Sequence, residues 1–104
     1  ESNKMYLKNK VNIGEIAPEI FYYTIIDKLP KEVNQISLED LTYKECSPGK
    51  IFNLNMNDVY DMTSILENKK YIKVNRKYGN NYIEIFERDK EKILSNYYSN
   101  NKID

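Results

Sequence analysis

Two adjacent stretches of this sequence predict an α+β fold, winged-helix-like, with three helices, a β-hairpin wing and an extra C-terminal helix. From Asn55 to Lys70 the apolar residues recur at helical spacing behind a capping signal. From Tyr71 to Phe86, with no linker between, they alternate with period two on either side of a turn. A helix running directly into a hairpin is the second half of a winged helix.

The preceding chain supplies the first half. Residues 1 to 14 are polar and mixed, and Met5, Tyr6, Leu7, Val11 and Ile13 are spaced too irregularly to support an assignment. Pro18 suits a first helical turn, where its missing N–H costs nothing. Behind it, Ile20, Phe21, Tyr23, Ile25 and Ile26 make the stretch from Glu19 to Leu29 apolar around much of its circumference, so this helix should be the most buried. Pro30 ends it by biasing Leu29 away from the α region. Ser37, with Asp40 three residues on, opens a shorter helix within Ile36 to Glu45, whose apolar face is Leu38, Leu41 and Tyr43. Ser47-Pro48-Gly49 is a turn signature. Lys50 to Leu54 then alternates Ile51 and Asn53 against Phe52 and Leu54, the pattern of a brief third strand.

In the main helix Asn55 caps the first turn and Asp58 can reach back to it. Val59, Met62, Thr63 and Leu66 point inward, with Ile65 widening the stripe, while Asp58, Asp61, Ser64, Glu67 and Asn68 point outward. Lys69 and Lys70 close the helix where cations oppose its dipole. In the hairpin, Ile72, Val74, Ile83 and Ile85 share the core face. Tyr71, Lys73, Tyr82, Glu84 and Phe86 share the other, with Lys73 paired across the strands with Glu84. Arg76 to Asn80 is the expected turn, because Gly79 tolerates positive φ and Asn80 and Asn81 tolerate the left-handed region. Arg88 to Tyr98 carries Ile93, Leu94 and Tyr97 as the stripe of a docking C-terminal helix.

Length and composition bound the function. The 104 residues fit a single domain, 1–104, and the opening at Glu1 suggests a piece excised from a longer protein. Sixteen basic and sixteen acidic residues cancel, so any nucleic acid or anionic surface must be met by a local patch. Cys46 is the one cysteine and there is no histidine, which excludes an internal disulfide and the common metal sites; no cofactor is expected. No apolar run approaches the roughly 20 residues of a membrane span, and no signal peptide is visible, so a cytoplasmic protein without a membrane partner is expected.

Four motifs come in a telling order: Pro18-Glu19 opening an apolar helix, the Ser37-Leu38-Glu39-Asp40-Leu41 helix start, Ser47-Pro48-Gly49 followed by Ile51-Phe52-Asn53-Leu54, and a hairpin centred on Gly79. This order resembles the carboxy-terminal part of a bacterial family of undefined function, encoded beside phosphoadenosine-phosphosulfate-reductase-like and cysteine-desulfurase-like genes in DNA phosphorothioation and phage-defence loci. Where such proteins carry a Thr-Ala-Gly-like step before the return strand, this chain has Lys77-Tyr78-Gly79. The resemblance implies a context, DNA-modification-linked defence with other proteins of such a complex as partners, and it transfers no catalytic residue.

The candidate binding surface is Lys69, Lys70, Lys73, Arg76 and Lys77, five cations within nine residues, interleaved with Tyr71 and Tyr78. Wings lay such residues along the phosphates of double-stranded DNA; the competing reading is a solvated hairpin tip and a helix end satisfying its dipole. On the helix, Asn57, Ser64 and Asn68 can read base edges, whereas Asp58, Asp61 and Glu67 would meet phosphates with like charge. Tyr71, Tyr82 and Phe86, exposed together on the outer hairpin face, would mark a protein-partner surface instead. Cys46 has no histidine to activate it, and Glu84 with Glu87, like Asp58 with Asp61, reads as ordinary surface acid, so no enzyme is expected. Two classes stay open: a non-catalytic module that contacts DNA through the wing, and a protein-interaction module that positions partners without touching DNA.

Overall fold

The computed structural model describes residues 15–77 and 79–100, so residues 1–14 lie outside it. The elements are α1 (Pro18–Asp27), β1 (Gln35–Ser37), α2 (Leu38–Tyr43), α3 (Pro48–Ile51), α4 (Met56–Asn68), β2 (Ile72–Lys77), β3 (Asn80–Ile85) and α5 (Lys90–Asn100). The strands form one antiparallel sheet in the order β1-β3-β2. This α+β arrangement is compatible with a winged-helix-like fold.

Helix α1 starts at Pro18 and buries Glu19, Phe21, Tyr22, Ile25 and Ile26. It ends at Asp27, earlier than the proline requires, because the Lys28 and Leu29 amides bond back three residues to the carbonyls of Ile25 and Ile26 and tighten the last turn. Both halves of the expected capping box on α4 are present: the Asp58 amide donates to Asn55 Oδ1 at 2.9 Å and the Asn55 amide to Asp58 Oδ2 at 3.3 Å. Val59, Met62, Thr63 and Leu66 are buried as their spacing demands. Ile65 does not widen the stripe; it is exposed, because α1, α2 and β2 cover α4 along the other side. The helix closes in a Schellman motif, with the Tyr71 amide bonded to the Leu66 carbonyl, the Lys70 amide to that of Glu67, and Lys70 itself at φ +72°. Lys69 and Lys70 are therefore cap residues, just outside the helix.

The third strand is not at Lys50 to Leu54. Ser47 accepts the Lys50 amide and Pro48 occupies the first helical position, so capping overrides the alternation and the segment forms the single turn α3. The strand is Gln35–Ser37, which pairs with β3 so that Ile36 faces Ile83. Ile36 thus belongs to the sheet, while Ser37 caps α2 as expected by accepting the Asp40 amide.

In the hairpin, Ile72 faces Ile85, Val74 faces Ile83 and Lys73 faces Glu84, the expected register. Ile72, Ile83 and Ile85 are buried and Val74 packs against the core. The connection is tighter than expected, since Arg76 and Lys77 are still paired, with Asn81 and Asn80. Gly79 has φ +80°. Tyr78 lies outside the described residues. Helix α5 begins two residues late because Asp89 Oδ1 caps it, accepting the Glu91 and Lys92 amides, and it packs along α1 with Ile93 buried.

Two predictions follow from this packing. Ile83→Asp puts an unpaired carboxylate at a fully buried position and should abolish folding or lower the thermal midpoint drastically, whereas Tyr82→Asp, on the opposite face, should be mild. Equal midpoints would mean that the register is off by one residue. Gly49 and Gly79 separate in the same way. A Cβ on Gly49 would lie 2.3 Å from the Thr42 carbonyl oxygen, so Gly49→Ala must push α3 off α2 and destabilise severely. A Cβ on Gly79 meets nothing within 4 Å, and Gly79→Val should lose only about 1–2 kcal/mol, from its positive φ. Denaturant melts in which Gly79→Val is the worse variant would contradict this.

Candidate nucleic-acid interface

Asn57, Asp61, Ser64 and Asn68 recur at three- and four-residue steps along one side of α4. Asn57, Asp61 and Asn68 are exposed; Ser64 is half-buried and its hydroxyl donates to the Tyr60 carbonyl at 3.2 Å. Of the three acids expected to repel DNA, Asp61 stays exposed and the other two are engaged. Asp58 is held in the capping box, and Glu67 Oε2 accepts the backbone amide of Val74 at 2.9 Å.

The five cations do not form one cluster. Lys69 Nζ lies 3.3 Å from Oε2 of Glu19, whose side chain is 1% exposed. It is a structural counter-charge, since a carboxylate taken out of water needs one. Lys70, Lys73, Arg76 and Lys77 are exposed. Strand parity places Lys73 and Lys77 on one face of the hairpin and Arg76 on the other, so cations stand on both sides of it. Arg76 Nε donates to Asn81 Oδ1 at 3.3 Å across the ladder. Lys73 stands opposite Glu84, whose Oε1 takes a hydrogen bond from Asn75 Nδ2 at 3.2 Å.

Tyr71 is a correction to the expected partner strip: it is 5% exposed. It occupies the bend before β2, where strand parity does not apply, and its ring stacks on Tyr22 with centroids 5.1 Å apart. Its hydroxyl donates to Glu19 Oε2 at 3.2 Å and accepts from Asn96 Nδ2 at 2.9 Å. The Tyr22 hydroxyl lies 2.6 Å from the Glu87 carbonyl and 3.1 Å from that of Tyr71. Burial pushes both phenols up, so each stays a neutral donor. The strip reduces to half-buried Tyr82 and to Phe86, which is 57% exposed.

Sequence reasoning missed Glu19, because an acid in a first helical turn carries the same local signal whether it faces water or the core. It also missed a cleft of ≈ 500 Å³ between α1, β1 and α2, lined by Thr24, Ile25, Val33, Ile36, Leu41 and Tyr82 among others, with exposed Cys46 on its wall. Among the described residues no group of three or more His, Cys, Asp or Glu side chains is placed to hold a metal, and no helix is long and apolar enough to cross a membrane.

The family model described as a protein of unknown function (DUF4007) matches residues 1–98. The chain belongs to this family. Membership agrees with the family of undefined function that the motif order resembles. No curated protein matches. Among solved structures, the DUF4007 chain is similar to one described as magnesium ion-bound SspB, with a TM-score of 0.71, 16% identity, and coverage of 88% of this chain and 29% of that one. It is likewise similar to a second SspB structure, with a TM-score of 0.70, 15% identity and the same coverage. The chain thus spans 29% of the length of the SspB chains, and at such identity the likeness shows the fold.

One candidate residue of this DUF4007 domain carries backbone strain. Lys70 holds the left-handed position at which a Schellman motif favours glycine. Lys70→Gly should raise stability by about 0.5–1 kcal/mol, the relieved strain of roughly 1–2 kcal/mol exceeding the entropy that glycine adds to the unfolded chain. A lowered denaturation midpoint would show that the lysine side chain holds the fold in place.

Proposed function

We propose that the chain is a non-catalytic winged-helix module that contacts double-stranded DNA through its basic wing, in a bacterial DNA-modification or phage-defence system. The observation that carries this is the hairpin: Lys70, Lys73, Arg76 and Lys77 are exposed at its root and on both its faces. Phosphates attract such a distribution without demanding a base sequence. The likeness of the fold to SspB supports the reading, as does the motif order that resembles proteins of phosphorothioation loci. Lys69 drops out of the contact set, being held by Glu19. A protein-interaction module is the second reading, favoured by Phe86, an exposed aromatic just past the end of β3.

Titrating duplex DNA at several salt concentrations separates the two. With DNA contact, reversing Lys73 and Arg76 to Glu weakens binding about equally for unrelated duplexes and flattens the salt slope by about 1 per lost phosphate contact, while Asn57→Ala changes little. Asn57→Ala relaxing sequence preference, with the reversals harmless, would assign readout to α4. Absence of any binding at roughly 50 mM salt, where phosphate contacts are strong, selects the protein-interaction reading.

A further inference from the structure

We propose that Glu67 is a positioning residue that holds the wing at a set angle to α4 and so favours DNA binding, although its charge alone opposes it. The inference rests on the DNA-contact reading above. Glu67 lies in the last turn of α4, where a negative charge opposes the helix dipole and where it would face the same phosphates as Lys70 and Lys73. On charge alone the position is unfavourable for both the helix and the interface. Its contact gives a reason for it. Glu67 Oε2 accepts the amide of Val74, the third residue of β2, at 2.9 Å.

That amide has no ladder partner. Strand β2 is an edge of the sheet. The Tyr71 carbonyl accepts the Phe86 amide, so the odd-numbered residues along this strand turn their backbone groups toward β3 and Val74 turns its own to the open edge. The Glu67 carboxylate fills the place of the missing strand with a charge-assisted bond. The bond spans the joint between helix and wing, where the backbone passes through left-handed Lys70 and the bend at Tyr71. Tyr71 is fixed to α1 from inside, through Glu19 and Tyr22, and Glu67 fixes the same joint from outside. The wing that carries Lys73, Arg76 and Lys77 is thereby held at a fixed angle to the body of the domain, and the ordering cost of binding falls accordingly.

Glu67→Gln and Glu67→Ala in the whole chain test this, because both remove the charge while only glutamine keeps an oxygen that can accept the amide. The readouts are duplex affinity at low salt, the salt slope, and hydrogen exchange at the Val74 amide. Glu67→Gln should bind at least as tightly as the unaltered chain and keep Val74 protected. Glu67→Ala should exchange faster at Val74 and bind about five- to tenfold more weakly than Glu67→Gln, the loss expected for one hydrogen bond, at an unchanged salt slope. Equal affinity of the two variants, or equal Val74 exchange, would overturn the positioning role. An unaltered chain that binds no DNA would instead overturn the reading on which it rests, and this inference with it.

Discussion

Tyr71 stands where α4 hands over to the hairpin, and nearly every polar group it has is committed. Its amide bonds to Leu66 in α4, and its carbonyl accepts the Phe86 and Glu87 amides and the Tyr22 hydroxyl. Its own hydroxyl joins Glu19 of α1 to Asn96 of α5, and its ring stacks on Tyr22. A carboxylate as deeply buried as that of Glu19 is tolerable only with partners, which explains the phenol kept neutral beside it and the Lys69 ammonium brought to it. The root of the wing is thus fixed by the same contacts that close the core between α1, α4 and α5.

That junction decides what is left for a partner. A cation that reads in sequence as part of a basic run is paired with buried Glu19, and a tyrosine that reads as surface is buried, while Lys70, Lys73, Arg76 and Lys77 are exposed. The acids of α4 divide similarly, Asp58 serving the helix start and Glu67 the edge of β2. What faces outward is a hairpin with cations on both faces, together with a helix side of Asn57, Asp61, Ser64 and Asn68. It is on these exposed cations that the DNA-contact reading proposed above rests. Lysine, not glycine, at the strained position 70 fits the same pattern, since strain tends to persist where a side chain has work to do.

The parts legible in the sequence are those governed by neighbours a few residues apart. The Asn55–Asp58 capping box, the Val59–Met62–Thr63–Leu66 stripe, the hairpin parity with Ile83 inward, and positive φ at Gly79 all follow from local geometry, and all are found. The local rule also has its own failure, at Lys50 to Leu54. There Ser47-Pro48 offers a helix cap and the alternation offers a strand, and the cap prevails because it satisfies a backbone amide at once whereas a strand needs a partner.

Only the tertiary structure decided the rest, because it depends on residues far apart in the chain. The third strand is Gln35–Ser37 because β3 offers it a free edge with Ile83 opposite Ile36, and three residues are too few to show a period by themselves. Glu19 is buried because Tyr71, 52 residues away, and Lys69 converge on it; Tyr71 is buried because Tyr22, 49 residues before it, caps its carbonyl and covers its ring. The sequence by itself determined the longer helices and the hairpin, and the residues at the centre of each apolar side. Which polar side chains are spent on holding those segments together, and hence which cations remain to meet a partner, was decided when the segments packed, since no local pattern distinguishes an acid that will face water from one that will find a phenol and an ammonium in the core.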